Sequence, residues 1–235
     1  MWAGDAQSAS NEWMELRNMT TVPIDLSGWD VTRLSGGSEV RMLAIPNGTV
    51  LAGSTFLIAN SDEDNSQLAV MPDLVTSEVP LANNQLQVRL YDASFDSDGT
   101  LIDTADDGTG APAAGENPGT LGRKSMVRNN PPDSGSEPSS WHTADRAFGW
   151  DAGAAELETP GHEILCLLNC PSSQQHSSRR VYCFSGKPNP KPTIWDSGSI
   201  AAINVMGLMF ALIPSWSAGR APPERHTPMN LQIRM

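Results

Sequence analysis

The seven residues Glu12-Trp13-Met14-Glu15-Leu16-Arg17-Asn18 constrain this chain more than any other stretch. Met14 and Leu16 alternate with Glu15 and Arg17. Period two puts apolar side chains on one face and charged ones on the other, which is the pattern of a half-buried strand. Trp13 then falls on the face opposite Met14 and needs cover of its own. Thr20, Thr21 and Pro23 end the pattern, since proline has no N–H to give a ladder. Ser27-Gly28 marks a turn, and Trp29 opens the next apolar segment.

The same alternation returns along the chain. Trp29 to Leu34 reads as a strand, with Val31 and Leu34 apolar, and Ser35-Gly36-Gly37-Ser38 as a turn. Val40, Met42, Leu43 and Ile45 make another strand. Pro46-Asn47-Gly48 closes it, with Asn-Gly predicting a tight hairpin. Thr55 to Ala59 is nearly all apolar, as a strand buried on both faces should be. Leu86, Val88 and Leu90 alternate with Gln87 and Arg89, Asp98-Gly99 makes a turn, and Leu101-Ile102 begins the return strand. Residues 105–120 read as a long loop, and Ser125 to Arg128 as a last strand. Many short strands with turn signals between them and no helical period predict an all-β sandwich or barrel.

In order and spacing these pieces resemble a lamin tail domain, in its bacterial form. The resemblance rests on Glu12–Asn18, then Asp25-Leu26-Ser27-Gly28-Trp29, then Gly48–Gly53 before Phe56-Leu57-Ile58. It continues through Leu90-Tyr91-Asp92 to Leu101-Ile102-Asp103. Ser125–Arg128, Trp141–Ala144 and Thr159-Pro160-Gly161 resemble the closing segments. The resemblance implies an immunoglobulin-like β-sandwich over residues 1–161. It also implies an apolar first strand of which Met1-Trp2-Ala3-Gly4 are only the last residues. The first strand is therefore expected to be truncated. Either upstream sequence with a signal peptide is missing, or the protein lacks the strand and exposes a sheet edge.

Charge divides the chain at the same boundary. Residues 1–161 carry 24 acidic against 8 basic side chains, residues 162–235 carry 3 against 7, and the whole chain has a formal net charge of −12. The acidic part would repel phosphate backbones, so no nucleic-acid partner is expected for it. Its charge reads as a solubility feature. The basic part has no clear period and is expected to be a poorly ordered C-terminal extension, disordered or partly helical, that does not pack with the sandwich. Its apolar run 200–213 is shorter than the roughly 20 residues a membrane helix needs, so a membrane anchor is not expected. The N-terminus shows no basic region followed by an apolar core, so no signal peptide is legible in it.

Four constellations bear on chemistry. Asp92, Asp96, Asp98 and Asp103 surround Gly99 at spacings that suit oxygen ligands for Ca²⁺. The Glu that closes the calcium-loop motif is missing, and a hairpin turn that uses Asp and Gly for backbone reasons is the preferred reading. Cys166, Cys170, His176 and Cys183 include one pair at zinc-ligand spacing but no matching second pair, so free thiols are preferred. His142, with Ser139 and Asp145 nearby in sequence, lacks a nucleophile-elbow pattern, and no catalytic residue is assigned. Trp13, Trp29 and Trp141 are expected in the core, where each buries a large area.

These readings lead to a non-catalytic structural or binding module, without cofactor, whose loops and sheet edges meet a protein partner or neighbouring domain. By resemblance it would work in the cell envelope or outside the cell, on a bacterial surface or secreted protein. Two other readings stay open: an accessory domain of a secreted nuclease- or phosphatase-type enzyme, and a Ca²⁺-dependent adhesion domain using the four aspartates.

Overall fold

The computed structural model describes residues 3–118, 122–131, 133–161 and 231–235. The described residues form twelve strands in chain order: β1 (Trp13–Asn18), β2 (Ile24–Asp25), β3 (Asp30–Ser35), β4 (Ser38–Ala44), β5 (Thr49–Val50), β6 (Thr55–Ala59), β7 (Leu74–Val75), β8 (Val88–Tyr91), β9 (Leu101–Ala105), β10 (Met126–Arg128), β11 (Trp141–Thr143) and β12 (Leu231–Arg234). A single 3₁₀ turn, Pro138–Ser140, is the one helical element among the described residues. Two four-stranded sheets carry the fold, ordered β12-β1-β6-β7 and β4-β3-β8-β9. The short pairs β2-β5 and β10-β11 close the ends. The predicted all-β sandwich is the observed architecture.

The two sheets share one core. Met14 and Leu16 of β1, Phe56 and Ile58 of β6, Val31 of β3, and Val88 and Leu90 of β8 pack into a single cluster with Trp29, Met126 and Trp141. These are the alternate residues of each strand, as a pleated sheet with one inward face requires. Trp13 points outward from the same sheet and forms a second cluster with Leu57, Ala59 and Leu68, with Trp150 packed against it at 6.2 Å between ring centroids. The loops around residues 68 and 150 are thus the cover that Trp13 needs.

Turn chemistry explains the β3–β4 hairpin. Ser35 faces Ser38, and the two residues between them, Gly36 and Gly37, have φ of 60° and 81°. Positive φ at both central positions is the turn whose twist matches the flanking strands. The expected tight hairpin at Asn47-Gly48 is not one. The strand before it, β4, pairs with β3, and the strand after it, β5, pairs with β2. Gly48 instead lies under the Phe56 ring, 2.6 Å from where a β-carbon would stand. The glycine there serves close approach rather than strand reversal.

Two expectations need correction. Strand β1 is not half-buried: Trp13, Met14, Glu15, Leu16 and Asn18 are all buried, and Glu15 has no exposed surface. Nor do residues 162–235 stand apart as a whole, because the last five of them join the sandwich. Strand β12 pairs antiparallel with β1, in the register Leu231 to Asn18, Gln232 to Arg17, Ile233 to Leu16 and Arg234 to Glu15. The edge of β1 opposite β6 is therefore covered rather than open. The physical reason is that Leu231, Ile233 and Met235 enter the shared core while Arg234 meets buried carboxylates. The zinc candidates Cys166, Cys170, His176 and Cys183 and the apolar run 200–213 lie outside the described residues. Among the described residues no helix is long and apolar enough to cross a membrane.

Candidate functional site

Among the described residues, buried charged groups gather around the slot that β12 occupies. One wall is β1. The other is β9 with β10, both of which β12 touches. Alternation along β12 divides its side chains between two faces, with Leu231 and Ile233 pointing inward and Gln232 and Arg234 outward. The backbone is tied on the side away from β1 as well. The Ile233 amide donates to Asp103 Oδ2 at 2.9 Å, and the Met235 amide donates to the Met126 carbonyl at 3.2 Å.

Arg234 is buried with two carboxylates. Its Nη1 lies 3.2 Å from Glu15 Oε2 and its Nη2 lies 3.2 Å from Glu158 Oε1. Gly161 donates its amide to the other oxygen of Glu15. A guanidinium fork suits two acceptors at once, and burial makes such a pairing matter. Loss of water pushes the Glu158 carboxyl up to about 7, against the pull of Arg234 and with a further push from Glu15.

A second arginine organises the neighbouring wall. Arg128 Nη2 lies 3.2 Å from Asp103 Oδ1, and the guanidinium stacks 4.9 Å from the centre of the Trp141 ring. Arg128 also donates to the carbonyl of Asp133 at 2.5 Å, and Trp141 Nε1 donates to the carbonyl of Gly135 at 2.8 Å. Burial raises the Asp103 pKa, and the Arg128 charge together with the Ile233 amide opposes that rise. Between β9, the 133–136 loop and β12 lies an open cleft of about 480 Å³, lined by Leu101, Asp103, Arg128, Ser134 and Gln232 among others.

The four aspartates singled out for Ca²⁺ take separate partners. Asp92 accepts the Thr100 amide at 2.6 Å across the β8–β9 turn. Asp96 pairs with Arg41, which also holds Asp30. Asp98 accepts the Ser97 hydroxyl at 2.8 Å. Asp103 faces Arg128 and β12. Among the described residues no group of three or more His, Cys, Asp or Glu side chains is placed to hold a metal. His142 is exposed, and its Nδ1 lies 2.6 Å from Asn129 Oδ1, while Asp145 pairs with Arg146. Ser139 offers its carbonyl to Asn129. The structure does not join His142 to Ser139 and Asp145 as a relay.

A further polar network lies on the β4-β3-β8-β9 sheet. Glu39 accepts from Thr32, Tyr91 and Arg89, at 2.6, 2.9 and 2.5 Å. These three bonds outweigh its partial burial and hold its carboxyl below the usual range. All four residues point at one another across neighbouring strands, so the network ties three strands together. Sequence reading missed both this network and the Arg234 site, because each joins residues far apart in the chain.

Comparison with known proteins agrees with this architecture. A family model described as Lamin Tail Domain matches residues 2–109. No curated protein and no solved structure gives a match. The matched residues include β1 to β9, and so both large sheets except for β12. Strands β10, β11 and β12 lie beyond the match and pack onto it. Residues 2–109 thus match the lamin tail domain family, whose members are immunoglobulin-like β-sandwiches.

Proposed function

We propose that this protein is a non-catalytic structural or binding module, working in the cell envelope or outside the cell as part of a bacterial surface or secreted assembly. The observation that carries the reading is the family match over the stretch that builds both sheets. Fold by itself fixes no activity, so the polar groups matter beside it. The buried arginines and carboxylates described above are tied to one another and to backbone, as befits groups that hold strands in place. Partner contact falls to sheet edges and loops. The edge strand β7 presents Val75 at 48% exposure beside Met71 at 69%. Edges of this kind accept an added strand or an apolar surface.

The test is direct. The purified full chain is incubated with phosphodiester, phosphomonoester, peptide and glycoside substrates, and no turnover is expected. Turnover that a single substitution in the chain abolishes would overturn the reading. For location, protease added to intact cells that carry the native protein is expected to digest it. Complete protection, lifted only by breaking the envelope, would remove the extracellular assignment.

A further inference from the structure

We infer that Asn47 is a site of spontaneous covalent modification, at which the Gly48 nitrogen displaces the side-chain amide and the product loosens the β2–β5 end of the sandwich. This goes beyond the binding-module reading and does not depend on it. Asn47-Gly48 is the pair that does not reverse a strand here, since β4 pairs with β3 and β5 with β2. It lies in the connection between β4 and β5, and Asn47 is exposed to solvent.

Local contacts set Asn47 apart. Its side chain takes part in no hydrogen bond among the described residues, and neither does the Gly48 N–H, although the Gly48 carbonyl accepts the Leu26 amide at 2.8 Å. Electrophile and nucleophile are both free, and glycine brings no β-carbon against the attacking nitrogen. Other asparagine amides are tied down: Asn11 by Asp5, Asn18 by the Val22 and Val50 carbonyls, Asn60 by the Ser10 and Val79 carbonyls, Asn65 by Asp62, and Asn129 by the Ser139 carbonyl. Asn117 and Asn130 precede proline, which has no N–H to lose. Asn83 and Asn84 are exposed, but the residues after them, Asn84 and Gln85, carry side chains that crowd the nitrogen.

The reaction balances with water alone. The Gly48 nitrogen loses its proton and bonds to Asn47 Cγ, and Nδ2 leaves as ammonia, closing a succinimide ring. The charged group opposite this loop, Asp25 across from Thr49, is held by Ser27, so the base is solvent hydroxide. Water then opens the ring. Addition at Cγ breaks the new C–N bond and gives aspartate. Addition at the Asn47 main-chain carbonyl breaks the original peptide bond and gives isoaspartate, whose main chain runs through Cβ and Cγ and is longer by one bond, about 1.5 Å. The fold leaves no slack for that length. On one side the Ile45 amide donates to the Trp29 carbonyl and the Ile45 carbonyl accepts the Gly28 amide, both at 2.8 Å. On the other, Val50 pairs with Ile24, and Gly48 lies under the Phe56 ring. The longer chain must give up the Leu26–Gly48 bond or displace Phe56 in the core.

The test incubates the purified full chain at neutral and at mildly alkaline pH, with samples digested and sequenced by mass spectrometry. The mass gain of an amide turned to an acid is expected first at Asn47. It is expected to grow faster at the higher pH, because the nucleophile is the deprotonated nitrogen. A protein-isoaspartate methyltransferase with a labelled methyl donor is expected to mark the product. The melting temperature is expected to fall in step with the isoaspartate fraction. Asn47→Ser, which keeps an exposed polar residue in the loop, is expected to show no gain there and to hold its melting temperature through the same incubation. Reaction at Asn47 only after unfolding in guanidinium, an earlier gain at another asparagine, a rate that rises in acid, or a melting temperature indifferent to the isoaspartate fraction would each overturn the proposal.

Discussion

Arg234 and Glu158 stand 76 residues apart in the chain and meet at 3.2 Å with both side chains almost wholly buried. The pair joins the end of the chain to the segment that closes the body of the sandwich. Through its other nitrogen the same guanidinium reaches Glu15 on β1. Arg234→Met keeps much of the side chain's length and apolar bulk but removes the charge. Glu158 then loses its cation and Glu15 loses one that it has. Removing one partner of a buried ion pair costs about 3–5 kcal/mol, a large share of the roughly 5–15 kcal/mol that holds a domain together. Urea unfolding of the full chain is expected to show a midpoint shift of that size. A shift no greater than that of an exposed arginine, such as Arg146→Met, would contradict it.

Glu158 and Glu12 predict the pH dependence. Burial pushes both carboxyls up to about 7, Glu158 with Arg234 opposing and Glu12 with the Leu81 amide opposing. The native state therefore keeps protons that the unfolded chain gives up near pH 4.5. Their contribution is fully present below about 4.5 and is lost as pH rises through about 7, and each such proton contributes a slope of at most about 1.4 kcal/mol per pH unit within that window. Glu39 runs the other way: its lowered pKa gives stability that is lost as pH falls below the ordinary carboxylate range. Stability measured by denaturant is expected to decline between pH 4.5 and 7. The variant Glu158→Gln is expected to flatten that decline, and an unchanged slope in the variant would refute the assignment to Glu158.

Gly135 is a packing requirement with a sharp test. A β-carbon there would stand 1.8 Å from the Thr104 carbonyl oxygen and 2.1 Å from Arg128 Nη1. Both are fixed, the first as strand backbone and the second by Asp103 and Trp141. Gly135→Ala must push the loop away from β9 and break the Asp106 amide bond to the Gly135 carbonyl and the Trp141 Nε1 bond to that same oxygen. Overpacking of this kind costs about 1–3 kcal/mol or more. Thermal melting is expected to show the loss. Gly110→Ala is a useful control for added bulk, since nothing lies within 4 Å of the β-carbon it would gain, although its φ of 63° adds strain. A Gly135→Ala chain that melted no lower than the control would refute the clash.

Local pattern revealed the strands and distant pairing did not. Period two exposed β1, β8 and the sandwich class, because alternation records which face of a strand is covered. The same rule misplaced Glu15. Its charge puts it on the solvent face in any local reading, and its burial rests on partners far along the chain, Arg234, 219 positions later, and the Gly161 amide. Leu231 to Arg234 carry a single alternation, too short to stand out against a segment without period. The two-residue strands β2, β5 and β7 left no signal for the same reason. Among the candidate site residues, Asp92 and Asp98 act in the turn that their sequence suggested. Asp103 does not: its partners are Arg128 and the Ile233 amide, which no local pattern could name.

That division of partners gives the last prediction. A Ca²⁺ site at the β8–β9 turn would need Asp92, Asp96, Asp98 and Asp103 to turn several oxygens toward one point, since the ion takes about 6–8 oxygen ligands. Two of the four already hold cations of the protein itself: Asp96 holds Arg41 and Asp103 holds Arg128. Releasing Asp103 would also strip an acceptor from the Ile233 amide and loosen β12. Asp92 is committed to the Thr100 amide, where it fixes the turn. Calorimetry with millimolar Ca²⁺ and with chelator is expected to give the same melting temperature for the wild type, and the same again within each arm for Asp98→Ala. A rise in melting temperature with Ca²⁺ that Asp98→Ala removes would establish the adhesion-type site and show that the aspartates rearrange to form it.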